Sequence, residues 1–257
     1  MTFRYVGFMS LLVGTLLLTA CGGHHQAAPS TTAQSSGTGN LNQSQALELA
    51  SVLYDDYRAG GALVSVNVPY QTGTQVTIDG QVDFQHHEGH LTVTTVVAGQ
   101  GTSVENVDYT INQVFEQGGP VVSSELARYG HPGQSWVARQ ADPANRPLDK
   151  IIEILVSLAS PSRDNPLLIQ ESHARYLGQV DVDGVETDSF QYDPAITYFV
   201  DPANGVLRQF VASVQGFAGP VTVEVADPGP RSLPPPPAGE VLHLSEASSP
   251  TTTTAGQ

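Results

Sequence analysis

Apolar residues at every second position dominate the middle of this chain. Val64, Val66 and Val68 alternate with Ser65 and Asn67. Val76, Ile78, Val82 and Phe84 alternate with Thr77, Asp79, Gln81, Asp83 and Gln85, and Leu91, Val93 and Val97 continue the pattern. Successive side chains of a strand point to opposite faces, so a period of two predicts antiparallel strands with one dry and one wet face. Gly80 falls on the apolar side in mid-strand. A missing side chain there marks a bulge, a bend or a close approach to the backbone.

Helical signals are fewer. Ala46, Leu49, Ala50, Leu53 and Tyr57 recur at steps of three and four and predict a helix over 42–58. Asn40 or Asn42 caps its start and Gly60-Gly61 stops it. A second stripe, Ile151, Ile154, Leu155 and Leu158, follows Pro147 and ends at Pro161, and a short helical turn follows Asn165 through Leu168. Strands are expected over Val104 to Ile111, from Val114, and around Trp136. The stretch 118–133, rich in Gly and Pro, reads as a loop. Val182-Asp183-Gly184-Val185 is a strong hairpin signal. Asp201-Pro202-Ala203-Asn204-Gly205 joins two further strands, and Val221, Val223 and Val225 alternate once more. Pro228, Pro230 and Pro234 to Pro237 then make a stiff stretch confined to a sheet edge or the surface. The order predicts an α+β fold, a single large curved antiparallel sheet packed over a few helices. Two or three helices cannot cover so large an apolar face, so a space is expected between the sheet and the helices 42–58 and 147–160.

The first residues carry a different signal. Arg4 precedes an apolar run from Val6 to Leu18 that is short for a membrane span, as in a secretory signal peptide. Leu18-Thr19-Ala20-Cys21 resembles the bacterial lipobox, in which the cysteine thiol is diacylated and the chain is cut before it. That resemblance implies a signal peptide over 1–20 and a lipid anchor at Cys21 on the outer, extracytoplasmic face of the cell membrane. Two acyl chains suffice for stable anchoring. Residues 21–40, polar and without apolar periodicity, read as a flexible tether that holds the domain about 20–25 Å from the anchor. The domain is expected over 41–244 and a disordered polar tail over 245–257. Cys21 is the single cysteine, so no internal disulfide is expected.

Charge narrows the partners. Ten basic residues against 25 acidic ones give a net charge of −15. Such a surface repels nucleic acid and anionic headgroups, so no nucleic-acid partner is expected. His86-His87-Glu88-Gly89-His90 has metal-binding residue types but not the His-Glu-x-x-His spacing, and it reads as a hairpin tip without a metal. His131, Ser135 and Asp142 are of hydrolase type, yet Gly133-Gln134-Ser135-Trp136-Val137 lacks the second glycine of a nucleophile elbow. Asp181, Asp183, Glu186 and Asp188 lack calcium-loop spacing and read as a solvated acidic hairpin. No phosphate loop, dinucleotide fingerprint or Cys-x-x-Cys is present, so neither a cofactor nor catalytic residues are expected.

Taken in order, these features resemble the LppX/LprAFG lipoproteins of actinobacteria, relatives in fold of the LolA and LolB carriers. The features are the Cys21 lipobox and tether, the helix at 42–58, the amphipathic strands 75–97, the strand of Trp136 and the helical interlude 147–169. Leu177-Gly178 before the Val182–Val185 hairpin, the Asp201–Gly205 hairpin and the proline-rich stretch before Glu240-Val241 complete them. The loop 117–133 is longer, and 226–239 richer in proline, than that family leads one to expect. The resemblance implies a half-barrel sheet folded over helices around an apolar cavity that holds acyl chains of lipids or lipoglycans. Val64, Val66, Val76, Ile78, Gly80, Val82, Phe84, Leu91 and Val93 are then cavity-lining candidates, with Leu53, Ile154 and Leu158 from the helices. By their residue types alone a closed core is the favoured reading, and the resemblance, with so few helices for so large a sheet, brings cavity lining level with it. The expected role is a membrane-anchored, non-enzymatic lipid binder or carrier that meets an envelope transporter or partner protein. The alternative is an envelope sensor or protein-interaction lipoprotein of the same fold.

Overall fold

The computed structural model describes residues 39–131 and 133–244. Cys21, the signal peptide expected over 1–20, the expected tether up to residue 38 and the tail expected over 245–257 lie outside the described residues. Gly39 and Asn40, expected to end a flexible tether, instead form a short strand, β1 (Gly39–Asn40). Helix α1 (Gln43–Ala59) starts at Asn42, whose side chain accepts from the Gln45 N–H while the Gln45 side chain accepts from the Asn42 N–H, both at 3.0 Å. This reciprocal box satisfies two donors that the first turn leaves without partners. Gly60 ends the helix at φ 94, a left-handed conformation that glycine adopts without a Cβ clash.

Five strands follow as a meander: β2 (Gly61–Gln71), β3 (Thr74–Asp83), β4 (Glu88–Val97), β5 (Gly101–Tyr109) and β6 (Gln113–Gln117). Helix α2 (Gly119–Arg128) then leads to β7 (Trp136–Gln140). This helix corrects the loop expected over 118–133. Val122 and Leu126, four residues apart, pack with Val137 and Leu242. The two glycines and the proline sit at the helix start, where a missing N–H costs little. Helices α3 (Pro147–Ser157) and α4 (Pro166–Glu171) precede a second meander. It comprises β8 (Arg175–Val182), β9 (Val185–Asp193), β10 (Ile196–Val200), β11 (Leu207–Ala212) and β12 (Val221–Ala226). The β8–β9 turn has Asp183 at φ 50 and Gly184 at φ 81, the two positive values a tight two-residue hairpin needs. The prolines lead to β13 (Val241–His243).

All thirteen strands form one open sheet in the order β1-β8-β9-β10-β11-β12-β2-β3-β4-β5-β6-β7-β13. Every pairing is antiparallel except β7 with β13. The architecture of the described residues is α+β, one large and mostly antiparallel sheet of thirteen strands with four α-helices. β12 and β2 join the two meanders, with Val223 opposite Val66. Both outer strands are very short, which limits the exposed template for pairing with another chain.

One face of the sheet carries the core. Val66, Ile78, Val107 and Val114 from the first meander share a cluster with Phe190, Leu207 and Val223 from the second. Ala46, Leu49, Ala50 and Val52 of α1 and Ile151 and Leu155 of α3 complete it. Strands of both meanders thus share one core with the same helices, as strand twist accumulated into a curved half-barrel allows. No helix among the described residues is long and apolar enough to cross a membrane.

Candidate ligand-binding cavity

A cavity of about 410 Å³ opens between the inner face of the first meander and the beginnings of α2 and α3. Its floor follows the strand alternation: Val68 and Tyr70 of β2, Thr74, Val76 and Ile78 of β3, Val93 and Thr95 of β4. Val121 and Val122 of α2 close one side, and Pro147, Leu148 and Ile151 of α3 form the roof. Phe217, between β11 and β12, packs its ring 6.2 Å from that of Tyr70 at the rim. The volume and the largely apolar lining suit a small ligand.

Charged side chains form the other end. Glu105, Glu116 and Arg139 point to the inner face because they stand in phase with Val107, Val114 and Val137 on β5, β6 and β7. Arg139 donates to both carboxylate oxygens of Asp149 at 2.6 and 2.7 Å, and through two nitrogens to Glu116 Oε1 at 2.6 and 3.2 Å. Asp149 also accepts from the Asp142 N–H at 2.6 Å and is fully buried. This network ties the first turn of α3 to β7. Half-exposed Arg146 lies at the rim, 3.9 Å from Glu116. Burial, with the charge of Glu116 adding, holds the Glu105 carboxyl above its ordinary pKa. Among the described residues Glu105 has no cation in ion-pair range. Its carboxyl packs on Gly119, where any Cβ would collide with Glu105 Oε1.

The expected lining residues divide. Val76, Ile78 and Val93 line the cavity. Val64, Val66, Val82, Phe84, Leu91 and Leu158 lie buried in the core cluster, and Ile154 packs half-buried against it. Leu53 is half-buried on α1, where its carbonyl accepts from the Ser160 N–H at 2.9 Å. Helix α1 contributes nothing to the cavity lining, and only α3 of the two expected helices roofs it. At Gly80 the close approach is by the neighbouring strand: a Cβ there would collide with the His90 carbonyl oxygen and lie 2.9 Å from Leu91 Cα. Glu105, Glu116, Arg139, Arg146, Val121 and Phe217 were not expected. The strand phase carried a signal for the first three, charges standing where the alternation calls for apolar side chains.

The remaining groups are engaged elsewhere. His86 Nδ1 lies 2.9 Å from Asp83 Oδ2 and His90 Nδ1 3.3 Å from Asp108 Oδ1, so these two histidines of the hairpin face separate carboxylates, while His87 Nδ1 is buried without a partner. No group of three or more His, Cys, Asp or Glu suited to a metal occurs among the described residues. Ser135 Oγ donates to Glu240 Oε2 at 2.6 Å. Asp188, read as part of a solvated hairpin, is instead half-buried and accepts from the Tyr176 hydroxyl at 2.6 Å. Burial, helped by Asp188, pushes Glu48 up to about 7. Buried Asp56 accepts from the Leu207 N–H at 2.9 Å, and its desolvation pushes it up to about 8. A second cavity of about 520 Å³ flanks α3 on its other side, but Asn112, Gln140, Asp149 and Glu153 interrupt its apolar wall.

No known protein-family profile matches the chain, and no curated protein sequence matches it. Among solved structures it is similar to an uncharacterized conserved protein from Thermus thermophilus, with a TM-score of 0.38 and 12% identity over 76% of this chain and 96% of that one. It is also similar to MucB, with a TM-score of 0.34 and 12% identity over 72% of this chain and 58% of that one.

Proposed function

We propose that this protein binds an acyl chain of a lipid or lipoglycan in the cavity beneath α3 and shields it from water, as a lipid-anchored envelope protein of LolA-like descent. The observation that supports this reading is the cavity itself, a space of about 410 Å³ with one end lined mainly by uncharged side chains from three strands and two helices. Each methylene taken from water contributes about 0.8 kcal/mol, so a chain of moderate length offsets the freedom lost on association. The ligand enters, sits and leaves without a covalent step. Anchoring through Cys21 keeps the domain on the extracytoplasmic side while the tether gives it reach.

The test is an organic extract of protein purified from its host, analysed by mass spectrometry. Lipid is expected in the wild-type extract. Val76→Trp, which fills the cavity, is expected to come out empty while folding normally. An empty wild-type extract with a protein partner retained in a pull-down would sink the proposal and favour a sensor. Cys21→Ala tests the anchor separately, since the protein should then leave the membrane fraction or remain uncut.

A further inference from the structure

This inference rests on the reading of the cavity as an acyl-chain site and concerns the other end of the ligand. The apolar wall stops at Glu105, Glu116, Arg139 and Arg146. Arg139 is held between Glu116 and Asp149 through four hydrogen bonds, which leaves it little to offer a ligand. Arg146 already lies beside Glu116. Three carboxylates, those of Glu105, Glu116 and Asp149, therefore face two guanidiniums, and Glu105 is the one without a cation. A carboxylate or phosphate arriving there would meet a like charge in a partly dry site, where repulsion is poorly screened. A hydroxyl would instead donate a hydrogen bond to the Glu105 carboxylate, an acceptor with no donor of its own among the described residues.

We infer that the cavity selects lipids whose polar end is uncharged and donates hydrogen bonds, such as a glycerol ester, and rejects those ending in a carboxylate or a phosphate. Glu105 is the positioning residue for this choice. Arg146 tempers the repulsion at the rim.

The experiment offers the purified full chain an equimolar mixture of monolauroylglycerol, laurate and lauroyl lysophosphatidate at neutral pH and low salt. Bound species are read by native mass spectrometry. The three probes share one chain length and differ only at the head. The glycerol ester is expected to exceed each anion by at least about tenfold. Glu105→Gln, nearly isosteric, should raise the anions and narrow that ratio, and Arg146→Gln should widen it. Thermal unfolding of both variants checks that they fold. Equal binding of all three probes, preference for an anion, or a ratio indifferent to Glu105→Gln would overturn the inference while leaving the acyl-chain site standing. Binding of none of the probes would remove the acyl-chain site and the inference with it.

Discussion

Helices α1 and α3 lie on the same face of the same sheet and do opposite things. Helix α1 buries Ala46, Leu49, Ala50 and Val52 in the core cluster, and none of its residues lines the cavity. It is tied to the segment after α3 by the N–H groups of Ser160 and Asp164, which donate to the Leu53 and Ala50 carbonyls at 2.9 Å. Helix α3 presents Leu148, Ile151 and Leu155, and its first turn is fixed by the Asp149–Arg139 pair. That polar strut fixes the start of α3 over β3 and β4, and the cavity lies between them. A strand of alternating valines thus does not decide between core and cavity. The size and charge of what faces it do.

The largest effect is expected at the strut. Arg139→Ala leaves Asp149, with a fully buried carboxylate, without its partner, and should cost about 3–5 kcal/mol in urea unfolding. A loss under about 1 kcal/mol would mean that α3 is held by packing alone. Next come paired tryptophans. Val82→Trp, in the closed half, should destabilise by about 1–3 kcal/mol through overpacking. Val76→Trp, in the open half, should leave stability nearly unchanged, and equal losses at both sites would erase the contrast between the two halves.

A third test exploits Asp56 on the closed side, whose native pKa is raised to about 8. Between about pH 4 and its native pKa the unfolded chain gives up a proton that the folded chain keeps, so stability falls as pH rises through that window. Asp56→Asn should flatten this slope and raise Tm by about 5 °C at pH 8 relative to the wild type. No change in slope would place Asp56 in contact with water. The smallest effect concerns the seating of α1: Asn42→Ala removes the capping box and should cost about 1 kcal/mol, without altering lipid content.

Much of the fold was legible because its signals are local. The stripe of Ala46, Leu49 and Ala50 with Asn42 before it set α1, and Asp183-Gly184 set the β8–β9 turn. Helix α2 was not legible. It buries only Val122 and Leu126, and the glycines and proline of its first turn resemble a loop until Val137 and Leu242 are in place. The three-residue β13 was equally hidden, since a parallel pairing with β7 across about a hundred residues leaves no local mark. Of the candidate site, Val76, Ile78 and Val93 were readable as inward-facing. Their separation from Val64 and Val82 was not, because it depends on which helix lies above. Glu105, Glu116 and Arg139 stood in the apolar phase of their strands, a signal that the neighbouring valines outnumbered.

The edge strand β1 bears on how this protein would respond to force. It is joined to β8 by only two residue pairs, Gly39 with Tyr176 and Asn40 with Arg175. In the sheet, five strands stand between it and β2, where the cavity floor begins. A load applied from the N-terminal side would peel β1 first, like a short zipper opened from its end. The strands that floor the cavity lie far along the sheet from that break. The cavity would keep its shape while β1 comes away.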